Sequence, residues 1–95
     1  MEAYTFQRTD LASRTVAAKE RAKIDANLCA QQRLVIDLKN VASISESFAD
    51  ELFGVLVLEK GLDFVTSRLK LVNATENVLR SIAIAMKRRS VPNVA

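Results

Sequence analysis

Residues 33–38 read Arg-Leu-Val-Ile-Asp-Leu, and this stretch limits the fold more tightly than any other. The run is shorter than the roughly ten residues a buried helix needs, and too apolar for a loop. A continuous β-branched and leucine run of this kind predicts a strand covered on both faces, as in parallel sheets. Parallel strands cannot be joined by hairpins, so the flanking segments have to supply crossovers. Asp37, near the carboxyl end, is the polar exception within Leu34–Leu38.

The crossovers can be read on either side. Tyr4-Thr5-Phe6 alternates and predicts a short first strand. Thr9 or Asp10 opens a stretch without Gly or Pro up to residue 30, with Asp10 as the expected N-cap. Leu11, Thr15, Ala18, Ala22 and Leu28 fall at helical intervals, predicting a helix of roughly five turns with a thin apolar stripe. From Phe48 to Leu58 a second helix buries Ala49, Leu52, Phe53 and Leu56, with Val55 on the flank and Gly61 as its C-cap. Arg68-Leu69-Lys70-Leu71-Val72 alternates as a half-buried strand. Asn73-Ala74-Thr75-Glu76 has capping-box spacing, and Val78, Leu79, Ile82, Ala83 and Met86 continue as the last helix. Pro92 cannot extend that helix, and the tail from Ser90 is expected to fray. The order β-α-β-α-β-α predicts an α/β fold: a small, three-to-four-stranded, mostly parallel sheet with helices packed on it. The whole chain, residues 1–95, reads as one domain with an ordered core over about 4–89.

Composition narrows the chemistry. The absence of His excludes imidazole acid–base catalysis and His metal ligands, so no metal site is expected. The two glycines, Gly54 and Gly61, stand outside any phosphate-loop pattern, and no cofactor is expected. The single Cys29 cannot form an internal disulfide and reads as a small, half-buried helix residue in a reducing compartment. No apolar run approaches the ~20 residues of a membrane span, and Met1-Glu2-Ala3 lacks the basic and apolar parts of a leader. A cytoplasmic, membrane-independent location is the expectation. The net charge of +3 raises a nucleic-acid-associated role. Against it, Glu20 and Asp25 interrupt Lys19, Arg21 and Lys23, and Lys87-Arg88-Arg89 fall where a helix end favours cations. Nucleic acid is therefore not the expected partner.

Functional groups of open α/β sheets collect beyond the carboxyl ends of the strands. Here that region is the 37–47 loop, the helix start behind it, and Asn73. Ser43-Ile44-Ser45-Glu46 and Ser47-Phe48-Ala49-Asp50 both have box spacing, so either Ser43 or Ser47 can cap the helix. A cap alone accounts for about 1 kcal/mol and for the presence of a serine. Three serines at one helix start also suit a regulatory site, because exposed backbone N–H groups favour a phosphate. Asp50 and Glu51 could form an acid–base pair, but first-turn carboxylates are favoured by the helix dipole alone.

The stretch Leu34-Val35-Ile36-Asp37-Leu38-Lys39-Asn40-Val41, followed by Ile44-Ser45-Glu46-Ser47-Phe48-Ala49-Asp50-Glu51-Leu52, resembles the STAS-like family of unknown function. Its most specific element is the Ser-Phe-Ala-Asp-Glu helix start. Ser13-Arg14 and Leu71-Val72-Asn73 add to the likeness, which runs from about Tyr4 to Arg89. More distantly the segment is similar to the STAS domains of prokaryotic anti-sigma factor antagonists. Aligned on Asp37-Leu38, Val41 and Ile44, Ser47 falls on the serine that a partner kinase phosphorylates in that family. Ser45-Glu46 replaces that family's Asp-Ser, and Phe48 its Gly; the N-terminal hairpin and last strand of full STAS domains are missing or shortened. The resemblance implies a non-catalytic regulatory domain that binds a protein partner, an ATP-binding kinase-like regulator among the candidates. Its contact residues would be Ser43, Ser45, Glu46, Ser47, Phe48, Asp50, Glu51 and Asn73, with Ser47 the phosphoacceptor. A small core and the apolar Val55, Val57 and Leu58 keep a second reading open: a homodimer or a subunit of a larger complex.

Overall fold

The computed structural model describes residues 3–90. Pro92 and the start of the chain at Met1-Glu2 lie outside them. Leu34–Asp37 form β3, the central strand of a three-stranded parallel sheet ordered β1-β3-β5. Its neighbours are β1, Tyr4–Thr5, and β5, Leu69–Val72. Tyr4 stands opposite Ile36, and Leu34, Ile36 and Asp37 stand opposite Leu69, Leu71 and Val72. A separate parallel pair joins β2, Asp10–Leu11, to β4, Ser43–Ile44. The α/β class and the small, mostly parallel sheet agree with the sequence reading.

The expectation that β3 is covered on both faces is overturned. Leu34 and Ile36 are buried, whereas Val35 and Asp37 are only half-buried. Leu69 and Leu71 of β5 join the core, while Val35 and Val72 stay outside it. Among the described residues the sheet therefore packs its core on one face only.

The core is built around the middle helical segment. That segment runs as α2, Glu46–Ala49, a π-helical turn, Asp50–Gly54, and α3, Val55–Lys60. Ala49, Leu52, Phe53 and Leu56 are fully buried, as their spacing predicted. α1, Arg14–Ala30, buries Ala17, Ile24 and Leu28 against it, and α5, Glu76–Ser90, adds Val78, Ile82 and Ala85. Gly54 lets α5 approach closely: a Cβ there would meet Ala85 O at 3.3 Å and Arg89 Cγ at 3.0 Å.

Several local expectations change. α1 is capped by Ser13, whose Oγ accepts from Val16 N at 3.2 Å; Asp10 is spent in β2. The α1 stripe is Ala17, Ile24 and Leu28, with Thr15 and Ala22 exposed, because the helix turns its larger aliphatic side chains, Ile24 and Leu28, to the core. Gly61 does cap α3, at φ 92°, but α4, Leu62–Arg68, follows at once where no helix was expected. The last helix is capped by Thr75, which accepts from Val78 N, and not by Asn73. Ser90, the last described residue, still belongs to α5, its Oγ donating to Lys87 O at 2.8 Å, and the rest of the tail expected to fray lies outside the described residues. Cys29 is exposed, not half-buried, and Val57 is buried, leaving Leu58 as the exposed member of the apolar group on that helix. No helix of the described residues is long and apolar enough to cross a membrane.

Candidate functional site

Three local decisions place the helix start. Ser43 is held in β4 and donates its hydroxyl to Asp10 Oδ1 at 2.6 Å, so it is not free to cap. Ser47 already lies inside the helix. Ser45, between them, is the cap: its Oγ accepts from Phe48 N at 3.0 Å. The expectation that Ser43 or Ser47 caps the helix is corrected accordingly. Ser45 Oγ also donates to Ala12 O at 3.2 Å and lies 3.1 Å from Ser47 Oγ. Each hydroxyl has one proton. With that of Ser45 given to Ala12, the hydroxyl of Ser47 is the donor between the two serines.

The remaining predicted residues fall in four places. Phe48 is fully buried and packs edge-to-face with Phe6 at 6.1 Å, so it is a core residue and cannot touch a partner. Glu46 is exposed at the helix start. Asp50 and Glu51 belong to the π-helical turn, a geometry that recurs at functional positions. Asn73 stands apart at φ 59°, donating its amide to Asp37 Oδ1 at 3.2 Å, while Asp37 also accepts from Lys39 N at 3.0 Å. These contacts, led by the Lys39 amide, hold the Asp37 carboxyl below its usual range. Asn73 and Asp37 form a small latch at the ends of β3 and β5, with no hydrogen bond to the serines among the described residues.

What the sequence reading missed is a ring of arginines. Arg89 grips Asp50 with two 2.8 Å hydrogen bonds, from Nε to Oδ1 and from Nη2 to Oδ2. Arg14 lies 3.7 Å from Asp50 and 3.3 Å from Glu51. Arg21 reaches Glu51 Oε2 at 2.6 Å and also donates to the Glu51 backbone carbonyl. Arg14, Arg88 and Arg89 line, with Ser45, Glu46, Ser47 and Asp50, one open depression of about 620 Å³. Ser13-Arg14 carried part of this signal. Lys87-Arg88-Arg89 is in the last turn of α5, as expected, but Arg88 and Arg89 also reach this surface, which charge spacing cannot reveal.

The electrostatics decide what these carboxylates can do. The Asp50 carboxyl is held below its ordinary range chiefly by Arg89, and that of Glu51 chiefly by Arg21. A general acid needs the opposite shift, towards neutrality. Asp50 and Glu51 are ionised anchors for Arg14, Arg21 and Arg89, of which Arg14 and Arg89 border the depression that holds Ser45 and Ser47. Among the described residues no group of three or more Cys, Asp or Glu side chains is gathered so as to hold a metal ion.

Compared with known families, residues 17–79 match the model of a STAS-like domain of unknown function. The match takes in the Ser45–Glu51 helix start and Asn73, and is narrower than the Tyr4–Arg89 span of the resemblance. Arg14, Arg88 and Arg89 lie outside it. No curated protein and no solved structure matches the chain.

Proposed function

Since the chain belongs to the STAS-like domain family of unknown function, we propose that it is a non-catalytic regulatory domain whose surface around Ser47 binds a protein partner. Phosphorylation of Ser47 by an ATP-binding, kinase-like regulator switches that contact. The observation that carries this reading is the placement of the Ser47 hydroxyl in an open depression with Arg14, Arg88 and Arg89. A phosphate adds nearly two negative charges and three acceptor oxygens. Guanidinium groups suit it by charge and by their forked geometry. Arg88 makes no ion pair among the described residues and is the first candidate to receive it. Arg14 and Arg89 are held by Asp50 and Glu51, so a phosphate competes with those carboxylates. It also removes the Ser47 proton donor beside the Ser45 cap. The switch rearranges an existing charge network as well as adding a repulsive charge beside Glu46.

The test is recovery of tagged protein from cells that naturally make it, with quantitative mass spectrometry of companions and of Ser47 itself. The expected outcome is a partner retained by the native protein and by Ser47→Ala, and lost by Ser47→Asp. Equal recovery of every companion by all three forms sinks the proposal.

A self-associating subunit is the second reading, motivated by Leu58 and Leu62, which are 58% and 38% exposed on either side of Gly61. Light scattering that shows a strict monomer at high concentration removes it.

A further inference from the structure

The strand β5 lies at one end of the β1-β3-β5 sheet, so among the described residues one side of its backbone has no strand to pair with. The Val72 carbonyl accepts from Leu38 N, on the β3 side. Backbone groups alternate sides along a parallel ladder, so Lys70 and Val72 turn inward and Leu69 and Leu71 turn outward. Leu69 N is used by Val65 O at the end of α4. The outward side therefore offers the Leu69 carbonyl and both backbone groups of Leu71.

A groove opens on each face of this edge. One, of about 240 Å³, is apolar and formed by Leu69, Leu71, Leu79, Ile82 and Met86, with Leu79 46% exposed. The other, of about 480 Å³, is formed by Arg33, Val35, Arg68 and Lys70 on the opposite face. None of its three cations makes an ion pair among the described residues; Arg68 instead lies 4.3 Å from the centre of the Phe64 ring. Successive residues of a strand point to opposite faces. A strand laid along β5 thus sends alternate side chains into an apolar groove and a basic one.

We propose that the outer edge of β5 docks an extended segment of a partner protein in which apolar and acidic residues alternate. Backbone pairing supplies the attachment and the two grooves supply the selectivity, the general mode of strand addition. A second copy of this chain does not fit. Neither edge strand of the three-stranded sheet, Tyr4–Thr5 or Leu69–Val72, carries an acid, and β5 against itself sets Arg68 and Lys70 against the cations of the copy. The proposal is independent of Ser47, because neither groove contains a residue of the arginine-lined depression.

The experiment is fluorescence polarisation of the full chain with labelled ten-residue peptides. The probes are an alternating valine–glutamate peptide, its valine–lysine counterpart, a version with the five valines and five glutamates in blocks, and an N-methylated version. Saturable binding is expected for the first, with the other three about tenfold weaker or undetectable, since they lack charge match, alternation or backbone donors. Lys70→Glu and Leu79→Asp change exposed side chains and are checked for folding by circular dichroism. Each is expected to lose the glutamate peptide by a similar factor, and Lys70→Glu to gain affinity for the lysine peptide. Ser47→Asp is expected to bind as the native chain does. No binding at millimolar peptide, equal binding of the N-methylated probe, or indifference to both substitutions overturns the proposal. So does concentration-dependent dimerisation abolished by Lys70→Glu, which would make a second copy the occupant.

Discussion

Phe48 and Gly61 show how single residues carry the fold. Phe48 was expected to meet a partner, yet it is fully buried and packs against Phe6. Truncating a buried phenylalanine removes its transfer energy and leaves a cavity. Phe48→Ala is expected to lose about 3–5 kcal/mol in urea unfolding, while Phe48→Leu loses clearly less. Stability unchanged in Phe48→Ala would place the ring outside the core. Gly61 stands at φ 92°, ψ 148°, a region that essentially only glycine occupies. An added Cβ meets nothing within 4 Å, so the cost of Gly61→Ala is backbone strain alone, about 1–3 kcal/mol. Asparagine tolerates left-handed helical angles but not these, so Gly61→Asn is expected to be no better than alanine in thermal unfolding. At Asn73, φ 59° is a left-handed helical value that asparagine accepts, and the side chain is kept for its bond to Asp37.

At the scale of elements, the π-helical turn Asp50–Gly54 is gripped from both sides, by α1 through Arg14 and Arg21 and by α5 through Arg89. Both carboxyls titrate below their usual range, so they stabilise the folded state fully above their unfolded values of about 4. That stabilisation is lost as pH falls through the lowered folded values. Urea midpoints measured from pH 7 down to pH 2.5 are expected to drop on this acid limb, and to drop less in Asp50→Asn and Glu51→Gln. Gly54→Ala would place a Cβ 2.8 Å from Asp50 Oδ1. It is expected to displace the Asp50–Arg89 pair and flatten the limb as Asp50→Asn does; a limb as steep as the native one would show that the pair survives. The central strand was legible because Leu34–Leu38 is a short, nearly continuous apolar run, and the middle helix because the Ala49–Leu56 face follows a helical period. α4 was not, since seven residues with Thr66 and Ser67 give too little period to read. The β2–β4 pair escaped because two-residue strands of Asp10, Leu11, Ser43 and Ile44 look like caps and turns. Of the site, the serines could be read from their spacing. The arginines could not, since Arg14 and Arg89 meet Asp50 only through the tertiary packing of α1 and α5.

For the molecule as a whole, one core joins every helix to one face of the sheet, so unfolding is expected to be a single transition. Tyr4 is the only tyrosine and there is no tryptophan, so intrinsic fluorescence reports on β1 alone. Its hydroxyl donates to Glu20 at 2.6 Å, tying β1 to α1, and burial with this carboxylate pushes the phenol above its usual range. Tyrosine fluorescence and far-ultraviolet circular dichroism are expected to give one urea midpoint, with an m-value of about 1 kcal/mol/M. An earlier fluorescence midpoint would show that β1 detaches first. The π-helical turn has a consequence of phase. A π turn holds one residue more than an α turn, which amounts to about 100° of helix rotation. Ser47 and Phe48 lie before this extra residue, and Leu56 and Val57 after it. Deleting one residue from Asp50–Gly54 could restore a regular helix and keep Leu56 on the core, but it would swing Ser47 out of the arginine-lined depression. Phe48 would turn with it, so the extra residue is what lets Phe48 and Leu56 face the core together while Ser47 faces the arginines.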